Sequence, residues 1–215
     1  NAGVASTIYN MVDFGGDPHE SLIALCAALL AIVVWATAAW WFGIPTSESH
    51  ALIAGVSGAA IALHGGMDGI NASEWIKGIY GLLLSTVLGF VMGWLTAKTV
   101  QYLCRGMDRG KTRGVFNKAQ IAGGAAMAFM HGAQDGQKFM GVFMLGIFLA
   151  KGNAAVGEFS IPVWLMILCS AVMGLGTSIG GYRIIKAVGM DMVKLERYQG
   201  FSADLAGAGC LLLSS

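Results

Sequence analysis

The run Met127-Ala128-Phe129-Met130-His131-Gly132-Ala133-Gln134-Asp135-Gly136-Gln137-Lys138-Phe139-Met140 decides how this chain folds and where its chemistry lies. It occupies the middle of a segment, Ala119 to Ala150, that is long enough to cross a bilayer and is otherwise apolar. Ionisable side chains at mid-membrane are expensive, so His131, Asp135 and Lys138, gathered with Gln134 and Gln137, read as a functional site. Gly132 and Gly136 predict that the helix breaks here. A break would turn free backbone N–H and C=O groups toward a bound ion, as the discontinuous helices of transporters do.

Composition places the whole chain in the membrane. Of its 215 residues, 56% are hydrophobic and only 12% charged, against roughly a quarter charged in soluble domains. Ser21 to Gly43 (23 residues, none charged) and Gly78 to Ala97 each supply an apolar run of spanning length. The 32 glycines allow close helix packing, and Gly89-x-x-x-Gly93 and Gly176-x-x-x-Gly180 lie within such spans. A formal charge of +1 offers nothing for nucleic acid, and the lipid bilayer is the expected surroundings. Cys26, Cys104, Cys169 and Cys210 lack metal or redox spacing and read as inert thiols. No signal peptide is read. The chain starts at Asn1 and ends inside an apolar run, which reads as a fragment of a longer protein.

Taken in order, residues 1–12 read as the tail of a helix, closed by the turn-rich Asp13-Phe14-Gly15-Gly16-Asp17-Pro18. The apolar segment 21–43 ends on Trp40-Trp41-Phe42, an aromatic cluster typical of a membrane interface. Gly43-Ile44-Pro45-Thr46-Ser47-Glu48-Ser49-His50 is polar and leads directly into the apolar run Ala51 to Leu63. Pro45, Ser47 and Ser49 predict a helix start whose hydroxyls can cap orphan N–H groups and whose N-terminus favours an anion, making 45–50 a second site element. Gly65 to Ala72 reads as a short loop and Ser73 to Cys104 as the next membrane helix. Arg105, Arg109, Lys111, Arg113 and Lys118 crowd one loop, 105–118; Arg183, Lys186, Lys194 and Arg197 crowd another, 183–197. The positive-inside rule puts both in the cytoplasm, and the expected location is the inner cell membrane, as a multi-pass protein. Segment 119–150 then crosses outward, 161–182 returns, and 151–160 lies outside. Periodicity leaves open whether 45–64 spans or re-enters.

Three stretches together carry a resemblance. His131-Gly132-Ala133-Gln134-Asp135-Gly136-Gln137-Lys138-Phe139-Met140-Gly141 resembles the "HGANDAQKAMG" signature of the inorganic phosphate transporter (PiT) family. Pro45-Thr46-Ser47-Glu48-Ser49-His50-Ala51 resembles its "P-x-S-T-T-H-A", and Gly174 to Arg183 its "GLGTxxGGxR". The matches fall in the family's order and cover most of the chain. The resemblance implies a bacterial-type secondary transporter that takes up inorganic phosphate coupled to Na⁺ or H⁺, without a cofactor, and with a homodimer as a candidate assembly. The implied fold is an all-α polytopic membrane protein with two inverted repeats, broken helices and re-entrant segments. Residues 1–104 would be most of the first repeat, its first half-helix missing. Residues 105–118 would be the basic loop, and 119–215 most of the second repeat, truncated before its serine-rich motif. The chain departs from the family at Gln134, where Asn is usual, and at Glu48, where Thr is. The link from Val12 to Ser21 is also short, as if one helix were absent.

On the same resemblance Thr46, Ser47, Ser49, His131, Gly132, Ala133 and Lys138 face the anion. Asp135, Gln134 and Glu48 serve the coupling cation or proton, with Na⁺ at Asp135 and Gln134, and His50 and Thr177 stand behind them. The residues alone leave alternatives. Asp135 is a cation ligand or the ion-pair partner of Lys138, three residues on; Gln134 offers a carbonyl to Na⁺ or a hydrogen bond to another helix. His131 binds phosphate or locks the break, and Ser47 and Ser49 are anion donors or caps. His64 and His19 read as interfacial, and the 12 methionines as packing filler. An intramembrane hydrolase lacks an H-E-x-x-H and a second metal-binding histidine. A scaffold would have no reason to bury Asp135, Lys138 and Glu48. A carrier of another tetrahedral oxyanion such as sulfate is the nearest competitor, and carboxylates lean toward phosphate because phosphate retains a hydrogen to donate.

Overall fold

The computed structural model describes residues 10–152 and 161–214. Residues 1–9, most of the expected helix tail, and 153–160, most of the expected outer loop, lie outside the described residues. The elements are α1 (Pro18–Phe42), α2 (Glu48–His64), a 3-10 turn (Met67–Gly69), α3 (Ala72–Cys104), α4 (Arg109–Ala150), α5 (Val163–Lys186), a π-helical segment (Ala187–Met192) and α6 (Arg197–Ser214). Outside the helices, the described residues hold only one isolated β-bridge, Val12 to Ile70. The chain divides into two compact units, one of residues up to 78 with 135–188, the other of 79–134 with 189–215.

In the first unit, α1 opens on Pro18, with the Asp17 carboxylate accepting from the His19 N–H at 2.8 Å. It closes on Gly43 in the left-handed region at φ 70°, where the Gly43 and Ile44 N–H groups take the Trp40 and Ala39 carbonyls. The next helix, α2, begins on Ser47, whose hydroxyl accepts from the His50 N–H. It packs on α1 at a close approach: a Cβ on Gly55 would lie 2.9 Å from Ile32 Cγ1 and 3.2 Å from the Ala28 carbonyl oxygen. The core of this unit is Leu25, Ala28, Leu52, Val56 and Ala60 against Val142, Leu145 and Leu149 of α4. Leu165 of α5 is fully buried against Met140 and Met144.

His64, which is exposed, donates from Nε2 to the Asp13 carbonyl at 2.8 Å. With Asp13 N–H to Gly69 O (2.8 Å) and Asn71 N–H to Met11 O (3.0 Å), it straps the segment before α1 to the turn after α2. A cavity of about 250 Å³ beside this strap is lined by Asn10, Asp13, Phe14, Ser21 and Leu149 among others, and none of the motif residues reach it.

In the second unit, α6 runs along the N-terminal half of α4. Phe116 meets Tyr198 and Phe201 at ring-centroid distances of 6.4 and 6.0 Å, Gly123 faces Phe201 and Asp204, and Gly207 faces Met127. Small residues let the two backbones approach, as they do between membrane helices. Of the predicted glycine pairs, Gly89, Gly93 and Gly176 face open space, and only Gly180 meets another helix.

Among the described residues three helices are long and apolar enough to cross a membrane: Pro18–Phe42, Ala72–Cys104 and Val163–Met192. These sit on the predicted spans 21–43, 73–104 and 161–182. By length and composition alone α4 is not one of them, because its middle is too polar. Two expectations need correction. The helix does not break at Gly132 or Gly136: α4 is continuous over Arg109–Ala150. Glycine costs a helix about 1 kcal/mol but, unlike proline, removes no hydrogen bond, so a long helix carries two without interruption. The basic segment 105–118 is not wholly a loop, since α4 starts at Arg109, and Arg183 and Lys186 lie on the last turn of α5. The serine-rich element leads into one uninterrupted helix of 17 residues, about 25 Å long at 1.5 Å per residue against about 30 Å of hydrocarbon.

Candidate functional site

The two motifs meet on one ammonium group in the first unit. Lys138 donates from Nζ to Ser49 Oγ at 2.7 Å and to Asp135 Oδ1 at 2.8 Å. Asp135 is 8% exposed, while Lys138 and Ser49 are half-buried. Helix spacing explains the local half of this arrangement, because residues 135 and 138 share a face of α4. The packing of α2 on the α1–α4 core explains the other half, since it delivers the first turn of α2 to that face. The ion pair that the sequence offered as one reading of Asp135 is therefore formed, and it reaches a serine 89 residues away. A buried charge that keeps a counter-ion and a hydroxyl is tolerable where an isolated one is not.

The other predicted residues are placed as follows. Ser47 takes the cap of α2, so its oxygen accepts from the His50 backbone; a hydroxyl that accepts still has its own proton to donate. Thr46, Ser47, Glu48 and the His50 side chain are exposed, as is Thr177 on α5. The expected burial of Glu48 is thus not met: it lies on the first turn of α2, where the helix dipole favours a carboxylate without any other partner.

In the second unit Gln134 donates from Nε2 to the Leu211 carbonyl at 3.0 Å, which is the interhelical hydrogen bond of its two readings. His131 and Ala133 are exposed and Gly132 is half-buried on the same turn. Sequence reasoning passed over Asp204, a half-buried carboxylate on α6 set against Gly123 and Gly124. The available signal was one acidic residue inside the otherwise apolar run 201–213. Among the described residues no group of three or more His, Cys, Asp or Glu side chains could hold a metal ion.

Helices long and apolar enough to cross a membrane, with an ion pair hydrogen-bonded to a serine inside one unit, define an all-α membrane protein. The chain belongs to the phosphate transporter family, whose model matches residues 1–109 and 104–215. A probable low-affinity inorganic phosphate transporter of Bacillus subtilis is 37% identical over 97% of this chain and 62% of its own length. The relative of that name in Mycobacterium tuberculosis is 34% identical over 88% of this chain and 45% of its own length. A putative phosphate permease of Pyrococcus furiosus is 22% identical over 93% and 64%. The chain therefore spans less than two thirds of these curated relatives. They are named as transporters and a permease, not as enzymes. No solved structure matches the chain.

Proposed function

We propose that the protein takes up inorganic phosphate as a secondary transporter and holds the anion at Ser49 and Lys138. The observation that supports this reading is the ammonium shared by the two motifs. Lys138 has three donors and these contacts use two. Ser49 accepts from Lys138, so its own O–H is left to donate. The start of α2, with Ser47 and Thr46, adds the partial positive charge and hydroxyls of a helix N-terminus. His131, Gly132 and Ala133 are assigned to the substrate on the motif alone, with His50 and Thr177 in support. The relatives' names favour phosphate, and nothing in them supports sulfate.

Coupling follows from the ion pair. An arriving phosphate competes with Asp135 for the ammonium, and a buried carboxylate whose ion pair with Lys138 is weakened offers a place where a cation is favoured. We assign that place to Na⁺ in preference to a proton, so anion and cation bind together or not at all. Gln134, held to Leu211, then contributes through helix position, and Glu48 through charge at the α2 start. The protein would sit in the inner cell membrane with 105–118 and 183–197 in the cytoplasm.

Uptake of radiolabelled phosphate into cells or proteoliposomes, with sulfate as competitor, tests this reading. Phosphate accumulation that sulfate does not inhibit is expected. Absence of uptake by well-inserted protein, or equal uptake of sulfate, rejects it.

A further inference from the structure

In the first unit the C-terminal ends of α1 and α5 come together around one tryptophan. Trp40 donates its indole N–H to the Gly180 carbonyl at 2.9 Å. The Arg183 guanidinium, one turn along α5, lies over the Trp40 ring, Cζ 5.5 Å from its centroid, and beside Gly43 at the end of α1. Lys186 follows three residues later on the same face of the last turn. Trp41, Phe42 and Tyr182 are exposed around the pair. Neither cation has a carboxylate partner among the described residues. Both helices are among those long and apolar enough to cross a membrane, and a basic and aromatic cluster toward one end of such helices is the composition expected near a membrane–water boundary.

We propose that Trp40, Arg183 and Lys186 form a binding site for the headgroup of an anionic phospholipid. A guanidinium stacked on an indole keeps its N–H edge available for two oxygens of a phosphodiester, and the stacking fixes its direction in advance. Lys186 adds a second positive charge, and tryptophan is the side chain best suited to the headgroup level, with an apolar body and a polar edge. Cations in the last turn also complement the helix dipole. That role alone requires neither an aromatic floor nor two cations without carboxylates. A net-neutral lipid carries a compensating cation and gains less. The site does not depend on what the protein transports.

The test reconstitutes the protein in phosphatidylcholine nanodiscs containing brominated phosphatidylglycerol or brominated phosphatidylcholine and follows tryptophan quenching, with Trp40→Phe identifying the Trp40 contribution. The apparent affinity for the anionic lipid is expected to exceed that for phosphatidylcholine about fivefold per cation, the ratio equivalent to about 1 kcal/mol for each basic residue at an anionic surface. The preference should vanish in Arg183→Gln with Lys186→Gln and persist in millimolar inorganic phosphate. Equal quenching by the two lipids, or a preference untouched by the double substitution, overturns the proposal. Displacement by inorganic phosphate also overturns it, by assigning the cluster to the free anion. If the double variant does not fold, Lys186→Gln alone, on an exposed final turn, decides: the preference should fall about fivefold, and no change rejects the site.

Discussion

Asp135, Lys138 and Ser49 form a chain of charge and hydrogen bonds in which each member has a different job. Asp135→Asn preserves shape while removing the charge that would receive the coupling cation. It should abolish coupled uptake while leaving expression and insertion intact; full transport by a well-expressed Asp135→Asn protein would end the coupling assignment. The serines separate by the same logic. Ser49 touches Lys138, whereas Ser47 holds the His50 backbone. Ser49→Ala should therefore weaken phosphate binding about 10-fold, the value of one hydrogen bond of about 1–1.5 kcal/mol. Ser47→Ala should mainly lower thermal stability by about 1 kcal/mol as a lost cap. Isothermal titration in detergent alongside a melting curve distinguishes the two, and equal effects on binding would return Ser47 to the anion. Sequence spacing made the Asp135–Lys138 pair legible, because two residues three apart on a helix are neighbours. It could not reveal the contact to Ser49, which depends on how α2 packs. Nor could it reveal the strap from His64 to Asp13, which joins the end of α2 to a loop 51 residues earlier.

At the scale of elements, the apolar runs located three helices of spanning length and their starts to within a few residues, because hydrophobic length is a strong signal, but the third runs on to Met192, past the predicted 182, and the predicted crossing 119–150 is not among them. The ends of those helices were less legible. Basic residues at 109–118 and 183–186 read as loops by charge, yet they are helical, since arginine and lysine are good helix formers. The predicted break at Gly132 and Gly136 failed for a related reason: glycine permits a break without requiring one. Gly132 has open space where a Cβ would go and no left-handed backbone. Gly132→Ala should thus raise stability by up to about 1 kcal/mol, read as a higher melting temperature in detergent; a clear loss would restore the break. Gly55 is the opposite case. A side chain there would strike Ile32 and the Ala28 carbonyl. Gly55→Leu should lower stability by about 1–3 kcal/mol and spread the α1–α2 pair, measurable by cross-linking between the helices. A neutral Gly55→Leu would contradict the close approach.

For the whole molecule, the proposed phosphate uptake calls for a coupling ion, and the two carboxylates of the motifs differ in burial. A proton carrier beside an anion site needs shelter from water, so that its charge is costly and its proton is held until release. Glu48 has no such shelter on the exposed first turn of α2. Asp135 is buried and already neutralised by a cation, Lys138, which makes it the better place to exchange one positive partner for another. Two measurements separate them: uptake against external pH with and without Na⁺, in wild type and in Glu48→Gln. Na⁺ coupling at Asp135 predicts uptake that requires Na⁺ at every pH, and a Glu48→Gln profile that follows wild type. Proton coupling through Glu48 predicts uptake without Na⁺ that rises as external pH falls and that flattens in Glu48→Gln. In the first case Glu48 is a local variation on the serine-rich helix start. In the second, the transport cycle must bring α2 into a conformation that buries its first turn, and Asp135 is left as the fixed partner of Lys138.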